Sequence, residues 1–179
     1  MENTKRKNGM IQIQYYQSPC GELVLGSFEN QLCLCDWMTE KYPEKVDARL
    51  TRILQVDYEV NTSNVIQHAM VQLDEYFNGV RKVFDIPLLF VGTEFQKKVW
   101  HKLLDIPYGS TVSYGALAGL LGMPKAVRAV AAANGANVIS IFAPCHRVIG
   151  SNHKLTGYRG GLAAKQQLLQ LESMDNKVL

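Results

Sequence analysis

Cys145 and His146 are neighbours whose side chains could act as a nucleophile and its base. A cysteine is nucleophilic as the thiolate, so a reactive one needs a base or a positive charge close to it. Glu172 is the only acidic residue within positions 106–174, and a carboxylate could orient the histidine. If the segment that carries Glu172 packs against the dipeptide, the three side chains form a Cys–His–Glu relay for nucleophilic catalysis.

The chain around the dipeptide must bend for these side chains to meet. In an extended strand neighbouring side chains point to opposite faces, so Cys145 reaches His146 only through a bend or a bridging water. Pro144 favours a bend, because its ring fixes φ. Taken alone, the dipeptide is more often a buried, inert cysteine at a strand end than a reactive pair. Both alternatives are open at this point.

Two flanking elements are expected to position the dipeptide. Residues 138–142 are apolar and β-branched, which predicts a buried strand that leads into it. Residues 162–171 have the pattern of a last helix. On it Lys165, Leu169 and Glu172 are spaced i, i+4 and i+7, so they share one face.

Three helices are predicted upstream of the dipeptide. Thr93 and Gln96 fit a capping box at the start of the first. Ser113 caps the second, which Gly122 stops, and Pro124 suits the first turn of the third. The two short helices joined at Gly122 predict a helix-turn-helix, a pattern that also occurs in proteins that bind no DNA.

The third of these helices is lined by small residues and carries one long cation. The small residues are Ala126, Ala129, Ala131, Ala132 and Ala133. They favour either tight packing with high helix propensity or a close approach to a nucleic-acid groove. Arg128 is either a solvated surface arginine or a probe that enters a base stack.

The first half of the chain has the pattern of a small β-meander with one or two helices. Residues 11–16 alternate as a half-buried strand does, and residues 23–27 and 32–37 predict a hairpin. Helical spacing follows at Val46, Leu50, Ile53 and Leu54, and again at Ile66, Met70, Leu73 and Phe77. Residues 83–89 contain Pro87, which predicts an edge strand or an exit segment.

Composition and charge limit the class of protein. The 179 residues are 47% hydrophobic and 20% charged, which is typical of a globular chain and excludes a disordered or fibrous one. No apolar run reaches the roughly 18 residues of a membrane helix. The polar N-terminus lacks a secretory signal, so we expect a cytoplasmic location and no membrane partner.

The two halves of the chain differ in charge. Residues 1–90 carry 9 Lys/Arg and 12 Asp/Glu, whereas residues 91–179 carry 10 and 4, so the net charges are −3 and +6. The basic half favours an anionic partner such as nucleic acid, although solvated surface charges give the same pattern.

Longer motifs surround the dipeptide and each of the predicted elements. They are IPYGSTVSYG (106–115), RAV (128–130), ANGAN (133–137), PCHRV (144–148) and LTGYRGG (155–161). Together with the spacing to Glu172, they resemble the O6-alkylguanine-DNA alkyltransferases, the methylated-DNA–protein-cysteine methyltransferases. The resemblance covers about residues 93–172 and is weaker over residues 18–37. Several motifs in the same order make this match far more specific than any one of them.

The resemblance implies an α+β fold of two domains. An N-terminal RNase H-like domain, a small β-sheet with helices, would span residues 1–90, of which 1–9 are expected to be disordered. A mostly helical, winged-helix-like domain with the DNA-binding surface and the active site would span residues 91–175, followed by a tail at 176–179. The first half shows no acidic cluster arranged for two metals, so no nuclease activity is expected.

The resemblance also implies the reaction. Members of the family move an alkyl group from O6 of guanine to their own cysteine in one SN2 step, once per molecule. Cys145 would be the nucleophile and acceptor, His146 its base through a water, and Glu172 the carboxylate that orients His146. Tyr114 would protonate the leaving guanine at N3, with Lys165 as a candidate assistant. O4-alkylthymine is a candidate second substrate, and no cofactor is expected.

Duplex alkylated DNA, bound through its minor groove by a monomer, is the implied partner. The implied DNA-binding residues are Arg128, Ala129, Asn137, Tyr114 and Ser113. The target base would be flipped out while Arg128 fills the gap, and Asn137 would be the hinge between helix and active site. The implied substrate pocket is formed by Pro144, Val148, Tyr158, Arg159 and Asn137.

Two features depart from the family pattern. Some members hold a structural zinc in the first domain, but here no histidine precedes His68. Cys33 and Cys35 share one face of a strand, so we expect them in the core and expect no metal. Arg159 stands where small residues also occur, and there it would either narrow the pocket to bulky alkyl groups or add a phosphate contact.

Three other functions use the same residues. A non-catalytic sensor of alkylated bases would recruit other repair factors, but such relatives lack the cysteine. A thiol hydrolase would use Cys145, His146 and Glu172 repeatedly and would need an oxyanion hole, which the sequence does not show. A transcriptional regulator would need base-reading side chains, which the alanine-rich helix does not offer.

Overall fold

The computed structural model describes residues 9–41 and 47–174. Within these ranges the first half is a sheet with two helices and the second half is mainly helical, which confirms the expected α+β class. Of the predicted disordered segment, residues 1–9, all but Gly9 lie outside the described residues, as do Val46, predicted as a helical position, and the predicted tail at 176–179. The domain boundary between residues 90 and 91 stays a prediction.

The sheet has four strands in the order β3-β2-β1-β4. The strands β1 (Ile11–Ser18), β2 (Gly21–Phe28) and β3 (Gln31–Trp37) form the expected antiparallel meander. The short strand β4 (Tyr58–Val60) pairs with β1 in parallel. All three of its residues are exposed, and a run of only three residues is too short for the sequence pattern to predict a strand.

Two helices complete the first half. Helix α1 (Ala48–Leu54) begins after Asp47, whose side chain accepts from the backbone N–H of Arg49. Helix α2 (Asn64–Phe77) packs on the sheet and begins after Ser63, whose hydroxyl accepts from the third helical N–H. Residues 83–89 form the exit segment rather than an edge strand, and Leu88 makes an isolated bridge with Leu32.

The second half contains the predicted helix-turn-helix. Helix α3 (Glu94–Leu103) has the expected capping box. The strand β5 (Val112–Ser113) runs directly into α4 (Tyr114–Leu120), whose first turn Ser113 caps. Helix α5 (Val127–Gly135) follows after a turn.

The segment of the cysteine comes next. A single 3-10 turn (Cys145–Arg147) supplies the bend that the dipeptide required. Strand β6 (Val148–Ile149) then pairs in parallel with β5, so the start of α4 lies beside the strand that follows the 3-10 turn. Helix α6 (Gly161–Met174) is the last described element.

One hydrophobic core joins the two halves of the chain. It combines residues of the sheet and α2 with residues of α3, β6 and α6, among them Leu25, Trp37, Tyr76, Trp100, Val148 and Leu168. A second cluster, which includes Ile11, Ile13 and Leu50, covers the other face of the sheet. The 3-10 turn therefore rests on a core that both halves build.

Two sequence predictions for the second half are wrong. Residues 138–142 form no strand beyond an isolated bridge of Ile139 to Cys35, because Ile141 has a left-handed φ of 72° that breaks an extended run. Pro124 does not open α5, which begins at Val127. Pro124 lies in the preceding turn, which the backbone N–H of Ala126 closes onto the carbonyl of Met123 at 2.8 Å.

None of the helices in the described part of the chain is long and apolar enough to cross a membrane.

Candidate active site

The carboxylate of Glu172 lies at the centre of a buried polar cluster. Its Oε1 accepts from His146 Nε2 at 2.7 Å, from the Tyr76 hydroxyl at 2.8 Å and from Arg147 Nη2 at 3.0 Å. Its Oε2 accepts from Arg147 Nε at 2.8 Å and from the backbone N–H of Gly109 at 3.1 Å. The packing of α6 against the 3-10 turn thus brings Glu172 to His146, as the sequence predicted.

These donors hold Glu172 ionised. Burial raises the pKa of the carboxyl, but the hydrogen bonds and charges of His146 and Arg147 outweigh burial and lower the pKa to about 2. An ionised carboxylate only accepts hydrogen bonds, so His146 Nε2 must carry the proton that it shares with Glu172. Arg147 balances the buried negative charge.

The other ring nitrogen of His146 is a free base. His146 is fully buried, and none of the described side chains or backbone groups bonds to its Nδ1. Burial lowers the pKa of His146, and the charges of Arg147 and Lys165 act in the same direction, while Glu172 opposes them. The imidazole is therefore neutral near pH 7, with its Nδ1 lone pair available.

The thiol of Cys145 is buried and resists ionisation. Burial raises its pKa, while a hydrogen bond from the Asn137 side chain and the charge of Lys165 partly offset burial. Asn137 also donates to the Ala143 carbonyl at 2.9 Å and accepts from the Ile139 N–H at 3.0 Å. Asn137 thus links the segment after α5 to the approach of the nucleophile, which is the position expected of a hinge.

Lys165 and Tyr114 meet at Thr156, on the loop before α6. Lys165 Nζ donates to the carbonyls of Val148 at 2.7 Å and Thr156 at 3.0 Å, and its side chain is fully buried. The Thr156 hydroxyl donates to the Tyr114 hydroxyl at 3.2 Å. The predicted proton donor and its candidate assistant thus share one neighbour beside β6.

The loop that carries Tyr158 and Arg159 is fixed to the end of β3. Trp37 Nε1 donates to the Tyr158 hydroxyl at 3.1 Å, and Arg159 forms an ion pair with Asp36. A Cβ on Gly160 would lie 2.6 Å from the Trp37 ring, so only glycine allows this contact. Arg159 also lies 3.8 Å from Asp47. Its side chain is engaged by acidic residues of the first half, which speaks against both of its expected roles, narrowing the pocket and contacting a phosphate.

The outward face of the helix-turn-helix is open. Arg128 and Ala129 are exposed on α5, and among the described residues none pairs with Arg128. Ser113 and Tyr114, at the start of α4, are half-buried. These four residues, predicted as a DNA-binding set with Asn137, lie on or at the N-terminal cap of two helices that contact each other, and they are exposed or half-buried, whereas Asn137 itself is buried.

Comparison with known proteins decides the family. Residues 94–174 match the family profile described as 6-O-methylguanine DNA methyltransferase, DNA binding domain, and residues 11–90 match the ribonuclease-like domain of the same name. The chain belongs to the 6-O-methylguanine DNA methyltransferase family. The expected family and enzyme class, a methylated-DNA–protein-cysteine methyltransferase, are thereby confirmed.

Individual relatives agree with this assignment. The chain is 45% identical over 157 residues to the methylated-DNA–protein-cysteine methyltransferase of Methanosarcina acetivorans, covering 88% of this chain and 95% of that one. It is 43% identical over 169 residues to the constitutive enzyme of that name from Bacillus subtilis, with 92% and 99% covered. A crystal structure of Mycobacterium tuberculosis OGT in complex with DNA is 39% identical, with a TM-score of 0.77 over 91% of this chain and 93% of that one.

Sequence reasoning about this methyltransferase missed three polar residues of the cluster. Tyr76 and Arg147 both bind the Glu172 carboxylate, and Asn134 Nδ2 donates to the Cys145 carbonyl at 3.4 Å. Arg147 stood in the quoted PCHRV motif, and its place beside the histidine was a usable signal. Tyr76 gave no signal, because it reads as one more apolar position of α2.

The described residues contain no group of three or more histidine, cysteine or acidic side chains placed to hold a metal. Cys33 and Cys35 lie in the core, as expected, and Cys20 is half-buried.

Proposed function

We propose that this methyltransferase repairs DNA by direct reversal, moving the alkyl group of an O6-alkylguanine onto Cys145. The observation that carries the proposal is the buried relay. Glu172 holds the proton of His146 Nε2, which leaves Nδ1 as a base on the residue that follows a thiol that remains protonated, within the same 3-10 turn. Such an arrangement makes the thiolate when the substrate is in place rather than beforehand.

The transfer is then a single SN2 step. The Cys145 proton passes to His146 Nδ1 through a water, and the sulfur attacks the alkyl carbon. The C–O6 bond breaks with its electron pair on guanine, and the new C–S bond is a thioether. Because a thioether is not readily cleaved, each molecule reacts once.

Guanine leaves more easily if it is protonated as it departs. We assign this role to Tyr114, whose hydroxyl accepts from Thr156 and keeps its own proton to donate towards N3 of the base. Lys165 assists by holding Val148 and Thr156 in place through two carbonyls. Overall, the proton lost by Cys145 is balanced by the one gained by guanine.

The pocket selects guanine through backbone groups. We propose that the carbonyls of Cys145 and Val148 accept from the exocyclic amine and that N–H groups near Tyr158 and Arg159 face O6. In this structure the Cys145 carbonyl accepts from Asn134 and the Val148 carbonyl from Lys165, so both are already aligned by donors. We also assign Pro144 and Asn137 to this pocket, because Pro144 precedes the turn that carries Cys145 and Asn137 bonds to the Ala143 carbonyl just before it.

Duplex DNA reaches this pocket through the helix-turn-helix. We propose that α5 enters the minor groove, which is only about 6 Å wide and admits a helix with small side chains such as Ala129. Arg128 then takes the place of the flipped base, and Ser113 and Tyr114 contact the backbone nearby. The net positive charge of residues 91–179 favours this partner.

Several finer points belong to the same proposal. The protein would act as a monomer in the cytoplasm, with domains at residues 1–90 and 91–175. O4-alkylthymine would be a second, minor substrate.

A restriction-site assay tests the proposal. A duplex in which O6-methylguanine blocks cleavage is mixed with increasing amounts of the protein, and restored sites are counted. We expect one restored site per protein molecule and none with Cys145→Ala. Restoration far beyond one per molecule would indicate a turning-over hydrolase, and tight binding without restoration would indicate a sensor, and either result would contradict the proposal.

A further inference from the structure

Tyr76 reaches the catalytic carboxylate from outside the DNA-binding half. It lies on α2, in the segment that matches the ribonuclease-like domain, and its side chain is fully buried. Its hydroxyl donates to Glu172 Oε1 at 2.8 Å. This single hydrogen bond joins the first half of the chain to the Cys–His–Glu relay.

The oxygen that Tyr76 binds is also the oxygen that orients the base. Glu172 Oε1 accepts from His146 Nε2 at 2.7 Å and from Arg147 Nη2 at 3.0 Å as well. Three donors therefore share the charge of one carboxylate oxygen. Because the three donors compete for the same acceptor atom, each of them weakens the hydrogen bonds of the other two.

Packing holds the Tyr76 ring in place. It makes ring contacts with Phe77, Phe84 and Tyr108, with centroids 5.3, 5.4 and 6.1 Å away. Burial and the negative charge of Glu172 raise the pKa of Tyr76 well above its usual range, so the hydroxyl stays a donor at every pH used for assays. The contact is thus a fixed part of the site.

We propose that Tyr76 is a positioning residue of the alkyl transfer, which moderates how strongly Glu172 holds the proton of His146. The inference rests on the proposed function. Without the Tyr76 hydroxyl, Oε1 would bind His146 Nε2 more strongly, and this would stabilise the imidazolium. His146 would then stay protonated, and useless as a base, up to a higher pH.

The other charged groups around His146 do not replace this control. Arg147, on the same turn, and Lys165, from α6, both disfavour the imidazolium, and Glu172 favours it. Tyr108, from the loop after α3, faces Arg147, which lies 5.7 Å from its ring centroid. Among these groups Tyr76 is the neutral donor that binds the same oxygen as His146.

The test is the pH dependence of transfer by Tyr76→Phe. Single-turnover rates are measured at saturating O6-methylguanine duplex from pH 5 to 9. We expect the acid limb to move upward by about half a pH unit or more, the size expected from one hydrogen bond to a charged group. Tyr16→Phe is the matched control. Tyr16 lies on β1, and its hydroxyl donates at 2.7 Å to the carboxylate of Asp74, which is on the same helix as Tyr76 but is not part of the relay.

Replacement of Tyr76 by 3-fluorotyrosine gives the opposite perturbation without loss of the hydroxyl. Fluorine makes the hydroxyl a stronger donor, so the acid limb should move to lower pH. The role of Tyr76 would be overturned if the acid limb of the pH–rate profile did not move in either Tyr76 variant. It would also be overturned if Tyr16→Phe moved that limb as far as Tyr76→Phe does. Absence of transfer by the unmodified protein would instead overturn the proposed function.

Discussion

The relay around Glu172 and the outward face of α5 are prepared for function in opposite ways. Glu172 is fully buried and accepts five hydrogen bonds, and four of them come from side chains of three other residues. Arg128 is exposed and has no ion-pair partner among the described residues. The polar contacts of Glu172 are made within the protein, whereas Arg128 is free to contact the DNA that we propose as its partner.

The difference follows from what each region must do. A proton relay needs its groups held at hydrogen-bond distance, so its polar contacts are made within the protein and shielded from water. A side chain that fills a gap in a base stack must leave water and enter DNA, so strong contacts within the protein would oppose its function. Substitutions in the relay should therefore lower both the free energy of unfolding and the rate of alkyl transfer. Substitutions on the outward face of α5 should lower only the rate of transfer from duplex DNA.

The largest effect is expected for Glu172→Gln. It removes the charge that balances Arg147, and breaking such a buried pair costs roughly 3–5 kcal/mol of the free energy of unfolding. Transfer should fall about a hundredfold or more, because a neutral amide no longer fixes the proton on His146 Nε2 and no longer stabilises the imidazolium that forms when Cys145 is deprotonated. Urea unfolding and single-turnover rates measure both effects.

Glu75→Gln is the matched control for that variant. Glu75 pairs with Arg81 at the surface, where an ion pair contributes about 0–1 kcal/mol. A destabilisation by Glu172→Gln no larger than that of Glu75→Gln would contradict a buried relay.

The second largest effect is expected from low pH, which should remove the contribution of Glu172 to the free energy of unfolding. A carboxyl whose pKa is lowered to about 2 stabilises the fold above its unfolded pKa of about 4.3 and loses this contribution as the pH falls. The difference in unfolding free energy between the wild-type protein and Glu172→Gln should stay constant from pH 7 to 5. Between pH 5 and 2 it should shrink by about 3 kcal/mol. A difference that does not vary with pH would show that Glu172 is not held ionised.

Arg128→Ala should affect duplex repair alone. If Arg128 replaces the flipped base as proposed, its loss should slow transfer from duplex DNA about tenfold to hundredfold, since unstacking a base costs a few kcal/mol. Transfer from free O6-benzylguanine and the unfolding free energy should not change. Lys125→Ala, a nearby exposed cation, is the control, and its smaller effect should fade as salt is raised. Equal losses on duplex and free base would place Arg128 in the chemistry instead.

The smallest effect on chemistry is expected for Arg159→Ser. Since its guanidinium pairs with Asp36, the ratio of O6-benzylguanine to O6-methylguanine transfer should stay within about twofold, while the loss of the partner of this buried carboxylate lowers the free energy of unfolding by roughly 3–5 kcal/mol. Arg81→Ser, which breaks a surface pair, serves for comparison of stability. A marked rise in that ratio would restore the hypothesis that Arg159 narrows the pocket.

How much the sequence predicted depended on where the signal lay. Local signals gave correct elements: the Thr93 capping box, the Ser113 cap and the alternation in β1 all describe contacts within a few residues. The strand predicted at residues 138–142 failed because a left-handed Ile141 and the side chain of Asn137 direct that segment, and neither has a local pattern.

The site divides in the same way. Cys145, His146 and Glu172 were found by residue type and by motif, and the structure brings His146 and Glu172 together across 26 positions. Tyr76 was not found, because 96 positions separate it from Glu172 and only the packing of α2 against the relay joins them. The engagement of Arg159 by Asp36, across 123 positions, was missed for the same reason.

Intact-protein mass spectrometry after reaction with an O6-methylguanine duplex is the most direct test of alkyl transfer to Cys145. We expect a gain of one methylene mass on every molecule, mapped by peptide analysis to Cys145 and saturating at one per protein. Cys145→Ser treated in the same way should show no gain. An unchanged mass after the duplex has been bound, or a gain on another residue, would contradict the account.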